Sequence, residues 1–339
     1  MRILFRNAIL FVCCTIFSGA TLAQADAGEP QDTRAQDMVD AVVQVQTIAL
    51  ADARSNETLG HERVGSGVLI DARGYVLTIG YLVIEAESIK VTSGNQRTVP
   101  ATLAAYDHAT GFALLKLLAP LDAKPLALGD SSSVRERDLV MTLPFGGREA
   151  AQLARVVSRR SFTGSWEYLL DEAIFTAPAT QRWAGAALIG RDFKLAGVGS
   201  LLVRDASGAG ETGAGPTGNM FVPIDILKPI LADMIEGGKR KGAGRPWLGI
   251  GTEQVHGLLM VTRVSPEGPA ASAGLEPGDV VIGVSDTDVA SQAELYRKIW
   301  DLGAAGVKVP LRVRRGTAVR EVVVTSIERS AYFRESVRQ

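Results

Sequence analysis

From Met38 onward the chain is written in strand-length apolar runs broken by turn residues, and no other feature constrains its fold as much. Val42-Val43-Gln44-Val45 is followed by Gly65-Ser66-Gly67-Val68-Leu69-Ile70, then by the turn Asp71-Ala72-Arg73-Gly74, then by Tyr75-Val76-Leu77-Thr78. Ile89-Lys90-Val91, Ala113-Leu114-Leu115-Lys116-Leu117 and Leu139-Val140-Met141-Thr142 continue the series. Short runs of this kind at regular spacing predict a β-barrel or sandwich rather than a helical bundle. The 36 glycines and the low aromatic content of 6% agree with many turns and tight backbone approaches. At 339 residues the chain is too long for one ordinary core and comfortable for two. Lys and Arg (36) balance Asp and Glu (37) to a formal net charge of −1, which argues against nucleic acid as a partner.

The N-terminus reads as an address. Arg2 and Arg6 precede the apolar run Ala8–Phe17, and Ser18-Gly19-Ala20 leads into Ala23-Gln24-Ala25, a small-x-small cleavage site. Residues 1–25 are therefore expected to be a cleavable signal peptide. The apolar run is too short for a spanning helix, and no later stretch is long and apolar enough for one. Bulky Phe11 and Val12 before Cys13 and Cys14 argue against a lipoprotein. Both cysteines lie inside the signal, so cleavage leaves an exported chain with no thiol, no disulfide and no stable membrane span. That composition fits a bacterial periplasm and excludes cysteine catalysis or cysteine-ligated metal.

Residues 26–37 are polar and aperiodic, and a flexible lead-in is expected. Residues 38–236 form the first domain. Within it Asp205–Gly218 is a long hairpin loop between strand-like segments, and Ile224–Ile235 has helical spacing that stops at Gly237-Gly238. Residues 237–246, Gly-rich and basic and ending in Pro246, read as a solvated linker. A second unit, residues 247–328, places Leu258–Val264 and Asp279–Val284 in strands and Gln292–Trp300 in an amphipathic helix. Val309–Arg314 and Glu321–Ser326 complete it as two further strands. Residues 329–339 remain as a C-terminal tail.

In this order the pieces resemble the HtrA/DegP family of envelope proteases, a trypsin-like double β-barrel followed by PDZ domains. Gly65–Thr78 resembles the strand pair before the family's catalytic His. Leu126–Gly146 resembles its Leu-Gly-Asp-Ser stretch and Asn-Pro-Phe-Gly turn, and Phe221-Val222-Pro223-Ile224 the strand before its last helix. Trp247-Leu248-Gly249-Ile250, with Ala273–Val281, resembles the first PDZ domain. The resemblance implies a mostly β fold, a chymotrypsin-like double barrel with one PDZ domain.

Serine proteolysis needs a hydroxyl nucleophile, an imidazole base and a carboxylate that orients it. The family's Thr-Asn-Asn-His-Val-Val run stands here as Thr78-Ile79-Gly80-Tyr81-Leu82-Val83, with Tyr81 in place of the His. A phenol, with a pKa near ~10, is a poor base at neutral pH. Its Asp-x-x-x-Asp-Ile-Ala segment stands as Asp107-His108-Ala109-Thr110-Gly111-Phe112-Ala113, with Gly111 at the carboxylate position. Its Gly-Asn-Ser-Gly-Gly loop stands as Arg182-Trp183-Ala184-Gly185-Ala186, so Ala184 replaces the Ser and Arg182 an oxyanion-hole Gly. The resemblance therefore implies a protease fold without a triad, a pseudoprotease. Trp183 and Tyr81 are bulky enough to fill or reshape the old substrate channel, or simply to repack a neutral loop.

The three histidines offer little replacement chemistry. His108 beside Asp107 reads as a surface histidine, and a relocated site built on it is the competing interpretation. His61 and His256 lack metal-ligand spacing, and no cofactor or metal is expected. The basic trio Lys239-Arg240-Lys241 reads as a solvated face.

PDZ domains add an extended peptide to a sheet edge and hold its terminal carboxylate on backbone N–H groups. The resemblance places that loop at Trp247-Leu248-Gly249-Ile250, with Leu295, Tyr296 and Ile299 of the helix either as groove wall or serving only the domain core. Leu248 and Ile250 suit an apolar C-terminal side chain. The expected function is capture of peptide C-termini or unfolded envelope proteins as chaperone, adaptor or regulatory subunit. The alternatives are an active endopeptidase with non-standard groups and a purely structural subunit whose groove holds a dedicated partner. Family members commonly form trimers, so a homo-trimer or a hetero-oligomer with an active homologue is implied. Met38–Ala53, however, contains none of the family's aromatic trimer contacts.

Overall fold

The first barrel closes from six strands: β1 (Val42–Ala49), β2 (Glu62–Leu69), β3 (Tyr75–Ile79), β4 (Ala86–Thr92), β5 (Thr98–Tyr106) and β6 (Phe112–Leu117). They are hydrogen-bonded in the order β1-β2-β3-β6-β5-β4. The computed structural model describes residues 31–208 and 215–335. The expected signal peptide and the start of the lead-in lie outside the described residues. Alternation does the sorting: in β1, Val43 and Val45 enter the core while Gln44 and Gln46 face outward. Phe112, Leu114 and Leu115 of β6 have no exposed surface, so this strand is buried on both faces.

A second barrel repeats the plan with β7 (Leu139–Leu143), β8 (Gln152–Gly164), β9 (Tyr168–Ala177), β10 (Ala187–Ile189), β11 (Leu195–Val203) and β12 (Gly218–Pro223), closed as β10-β11-β12-β9-β8-β7. Strands β11 and β12 pair antiparallel, and of the loop expected between them, Asp205–Gly218, residues 209–214 lie outside the described residues. The helix expected over Ile224–Ile235 begins as a tight 3-10 turn at Ile224–Ile226 and becomes α-helical only over Leu231–Gly237.

The remaining strands are β13 (Pro246–Trp247), β14 (Ile250–Val255), β15 (Leu258–Val264), β16 (Val280–Val284), β17 (Thr287–Asp288), β18 (Lys308–Arg315), β19 (Ala318–Thr325) and β20 (Ile327–Glu328). The order β14-β15-β16-β18-β19 makes one sheet, with β17 on β16, while β13 pairs with β20. Among the described residues the α-helices are α1 (Gln31–Ala41), α2 (Asn56–Leu59), α3 (Leu231–Gly237), α4 (Pro269–Ser272) and α5 (Gln292–Asp301). Ser291 caps α5 by accepting from the Glu294 N–H at 3.2 Å. Leu295, Tyr296 and Ile299 line its buried face.

Three expectations need correction. Residues 31–37 are not flexible lead-in but the first part of α1, held by an Asp37–Lys124 ion pair at 2.9 Å and by burial of Met38 and Ala41. The basic trio is not wholly solvated. Arg240 makes a two-pronged contact to the buried Asp107 carboxylate, 2.7 Å at each oxygen, and so ties the linker to the first barrel. The tail also folds back: Tyr332 packs on Trp247 with ring centroids 4.8 Å apart, and the Arg334 N–H reaches Glu85 at 2.9 Å.

Candidate functional site

A cleft between the two barrels gathers the positions singled out for proteolysis. Tyr81 sits in the 3-10 turn Gly80–Leu82 that follows β3, and Arg182–Ala184 precede β10, so each barrel supplies one wall. The Tyr81 hydroxyl donates to the Ser200 carbonyl of β11 at 2.7 Å and so bridges the barrels. Burial pushes its phenol well above the ordinary tyrosine value, against a weaker opposing hydrogen bond with the Trp183 side chain. A phenol so placed holds its proton rather than accepting one.

Ala184 offers a methyl group, and its carbonyl accepts from the Ser66 N–H at 2.8 Å. The Arg182 N–H turns to the Thr180 hydroxyl at 3.3 Å, and its guanidinium reaches the Phe145 carbonyl at 3.2 Å. At the third position, Gly111 has φ +82°, and its carbonyl accepts from the Gly80 N–H at 2.7 Å. A Cβ there would stand 3.2 Å from the Tyr168 hydroxyl, so neither the backbone conformation nor the space favours a side chain.

His108 is not the surface histidine read from the sequence. Its ring lies 4.0 Å from Tyr106 and stacks at 5.9 Å on Phe333, because the tail folds over it. Burial drives the imidazole down to about 3, with the Arg329 charge adding to the effect. The Asp107 carboxylate is engaged by Thr110 and Arg240, not by His108, and the His108 Nδ1 has no hydrogen-bond partner among the described residues. The same cavity, of about 920 Å³, is lined by Tyr81, Gly111 and Ala184 on one side and by Trp247, Gly249 and Ile250 on the other. The barrel cleft and the carboxylate loop thus share one space.

That loop is not empty. Leu248, Gly249 and Ile250 direct their N–H groups at the carboxylate of Glu167, at 2.9, 2.7 and 3.0 Å. Gly249 holds φ +82°, with the Trp247 ring 3.0 Å and Ser265 3.2 Å from where a Cβ would lie, so this inward-pointing turn needs glycine. Burial pushes the Glu167 carboxyl up to about 7, against the pull of the three N–H groups and of Arg329. Tyr296 reaches the same hairpin: its hydroxyl donates to the Gly164 carbonyl at 3.0 Å and accepts from the Glu167 N–H at 3.3 Å. Of the residues expected in the groove, Leu248, Leu295 and Ile299 are buried in the core of the second unit, and Trp247 packs under Tyr332. Sequence reasoning missed Glu167; the signal available was a tryptophan, Trp166, in an otherwise polar hairpin tip.

Comparison with known proteins defines the class first. Residues 65–198 match the trypsin-like peptidase domain and residues 246–325 the PDZ domain. Escherichia coli DegQ, a periplasmic pH-dependent serine endoprotease, is 29% identical over 280 residues, covering 78% of this chain and 59% of DegQ. The serine endoprotease DegS of the same organism is 27% identical, covering 81% of this chain and 79% of DegS. The chain thus spans little more than half of DegQ, and 54% of E. coli DegP, which is 29% identical over 74% of this chain. Among solved structures, the HtrA-type protease AlgW with a decapeptide superposes with a TM-score of 0.53 at 19% identity, covering 89% of this chain and 99% of that one. A serine endoprotease from Yersinia pestis gives 0.51 at 22%, covering 88% and 97%. The fold is a trypsin-like double barrel with a PDZ domain. Together with the Deg relatives, this combination supports the HtrA family for the chain. Relatives named as periplasmic suggest export.

Proposed function

We propose that this protein is an exported, periplasmic HtrA-like pseudoprotease that captures peptide C-termini or unfolded envelope proteins through its PDZ domain, as a chaperone, adaptor or regulatory subunit. The observation that carries the reading is the pairing of Tyr81 with Ala184 in the cleft. One is a proton-holding phenol fixed to the Ser200 carbonyl, the other a side chain with no nucleophilic atom. Acyl transfer needs both a nucleophile and a base within hydrogen-bond reach. Peptide capture draws support from the PDZ match and from AlgW, whose solved structures include a decapeptide and a tripeptide.

The reading is tested with a fluorophosphonate probe, which labels activated serines, and with peptide pull-down. No labelling of the natural chain, together with retention on immobilised peptides bearing a free C-terminus, is expected. Labelling at any serine of the cleft would overturn it.

A further inference from the structure

The tip of the hairpin between β8 and β9 lies in the groove where the PDZ domain would receive a peptide. Its contacts are those a peptide would make. The Glu167 carboxylate takes the three N–H groups of Leu248, Gly249 and Ile250. The Ser165 carbonyl accepts from the Thr252 N–H of β14 at 3.3 Å, a backbone pairing onto the sheet edge. Tyr296 on α5 closes the other side, bonded to both Gly164 and Glu167. Leu169, just beyond the tip, packs within the apolar core of the second unit.

Two features mark this as a placed contact. Glu167 is a non-glycine residue at φ +58°, a left-handed conformation that costs energy and aims the side chain into the loop. It is also buried, 7% exposed, so its charge is taken from water for the sake of three N–H donors. We propose that Glu167 is an internal stand-in for a peptide's terminal carboxylate. The groove is self-occupied, and its exchangeable ligand is a polypeptide with a free C-terminus that enters by displacing the Gly164–Glu167 tip.

This rests on the peptide-capture reading above and adds its regulation. A segment held on the same polypeptide competes at high effective concentration. The apparent affinity for an outside peptide is then reduced by the fraction of molecules whose tip is out. The cavity beside the loop, shared with Tyr81 and Ala184, gives the displaced tip and the incoming chain a common space.

The test compares the full chain with Glu167→Ala and Glu167→Gln by fluorescence anisotropy. The probes are fluorescein-labelled octapeptides ending in Val, Leu, Phe or Ala, each as the free acid and as the C-terminal amide. Hydrogen exchange of the Leu248–Ile250 amides is followed in the same proteins. Loss of three charge-assisted hydrogen bonds from the tip should tighten binding of at least one free acid by about tenfold or more. The amides should stay weak, and exchange at Leu248–Ile250 should quicken in the variants without peptide. Free-acid binding of equal strength in natural chain and variants would overturn the internal-ligand proposal and leave peptide capture standing. Absence of free-acid binding in every protein would overturn peptide capture. In that case the exchange with an outside peptide falls with it, and unchanged exchange at Leu248–Ile250 would overturn the self-occupied groove as well.

Discussion

Gly111 carries a prediction whose size can be worked out from its surroundings. Its N–H donates to the Asp107 carbonyl at 2.8 Å and its carbonyl accepts from Gly80 at 2.7 Å, so the residue cannot turn to relieve a new side chain. At φ +82° an alanine costs about 1–2 kcal/mol of backbone strain. Its Cβ also presses the Tyr168 hydroxyl, which donates to the Thr110 carbonyl at 2.6 Å. Disturbing that bond costs about another 1 kcal/mol. Gly111→Ala should therefore destabilise the first domain by about 2–3 kcal/mol, or about 2–4 °C in Tm per kcal/mol for a domain of this size. The assay is thermal unfolding followed by circular dichroism, with Tyr168→Phe as second variant. On the Tyr168→Phe background the penalty should fall to the backbone part. A Gly111→Ala protein as stable as the natural chain would refute the reasoning. Restoring an aspartate meets the same obstacle and sets a second carboxylate near Asp107. Adding Tyr81→His and Ala184→Ser to Gly111→Asp is therefore expected to leave casein uncut.

Removing Arg240 leaves the buried Asp107 carboxylate without its two-pronged partner. Arg240→Ala should cost about 1.5–3 kcal/mol in urea unfolding and expose the linker to limited proteolysis, whereas unchanged stability would contradict the account. Glu85 is held below the ordinary glutamate range: burial acts to raise it, but hydrogen bonds from the Ser55 hydroxyl and from the Arg334, Ser55 and Arg54 N–H groups outweigh that. Its stabilising contribution is therefore present above the unfolded glutamate pKa and lost as pH falls through the folded value. Acid should release the tail first, seen as faster exchange at Arg334. Glu167 has the opposite sign. Its carboxyl is raised to about 7 in the groove and returns to the ordinary range when the tip is out, so acid favours the occupied groove. The facing groups are Arg329 and the Tyr296 hydroxyl, and the loop itself presents only backbone N–H groups. The tip should leave the loop more readily at pH 8 than at pH 5, seen as greater opening at the Leu248–Ile250 amides once the intrinsic exchange rate is divided out, and Glu167→Gln should flatten the difference. Equal pH dependence in both proteins would contradict the assignment.

The barrels and the PDZ domain were legible because their determinants are local. The alternation of Val43 and Val45 with Gln44 and Gln46 requires only a sheet with one wet face. The Leu-Gly pair at 248 and 249 similarly announces a tight turn. What escaped the sequence is contact between distant segments. Glu167 meets Gly249 from 82 residues away, and no periodicity links a polar hairpin tip to a loop in another domain. His108 was misread for the same reason, since Phe333, which covers it, arrives from the tail. Helix α1 has weak apolar periodicity of its own, and its anchors, Lys124 and the burial of Met38, come from the folded barrel.

As proposed above, the cleft of Tyr81 and Ala184 performs no proteolysis. The most direct measurement is degradation of casein by the natural chain, purified from a host lacking related proteases. No cleavage above buffer is predicted over a neutral pH range. Turnover that follows the protein through successive purification steps would contradict the claim.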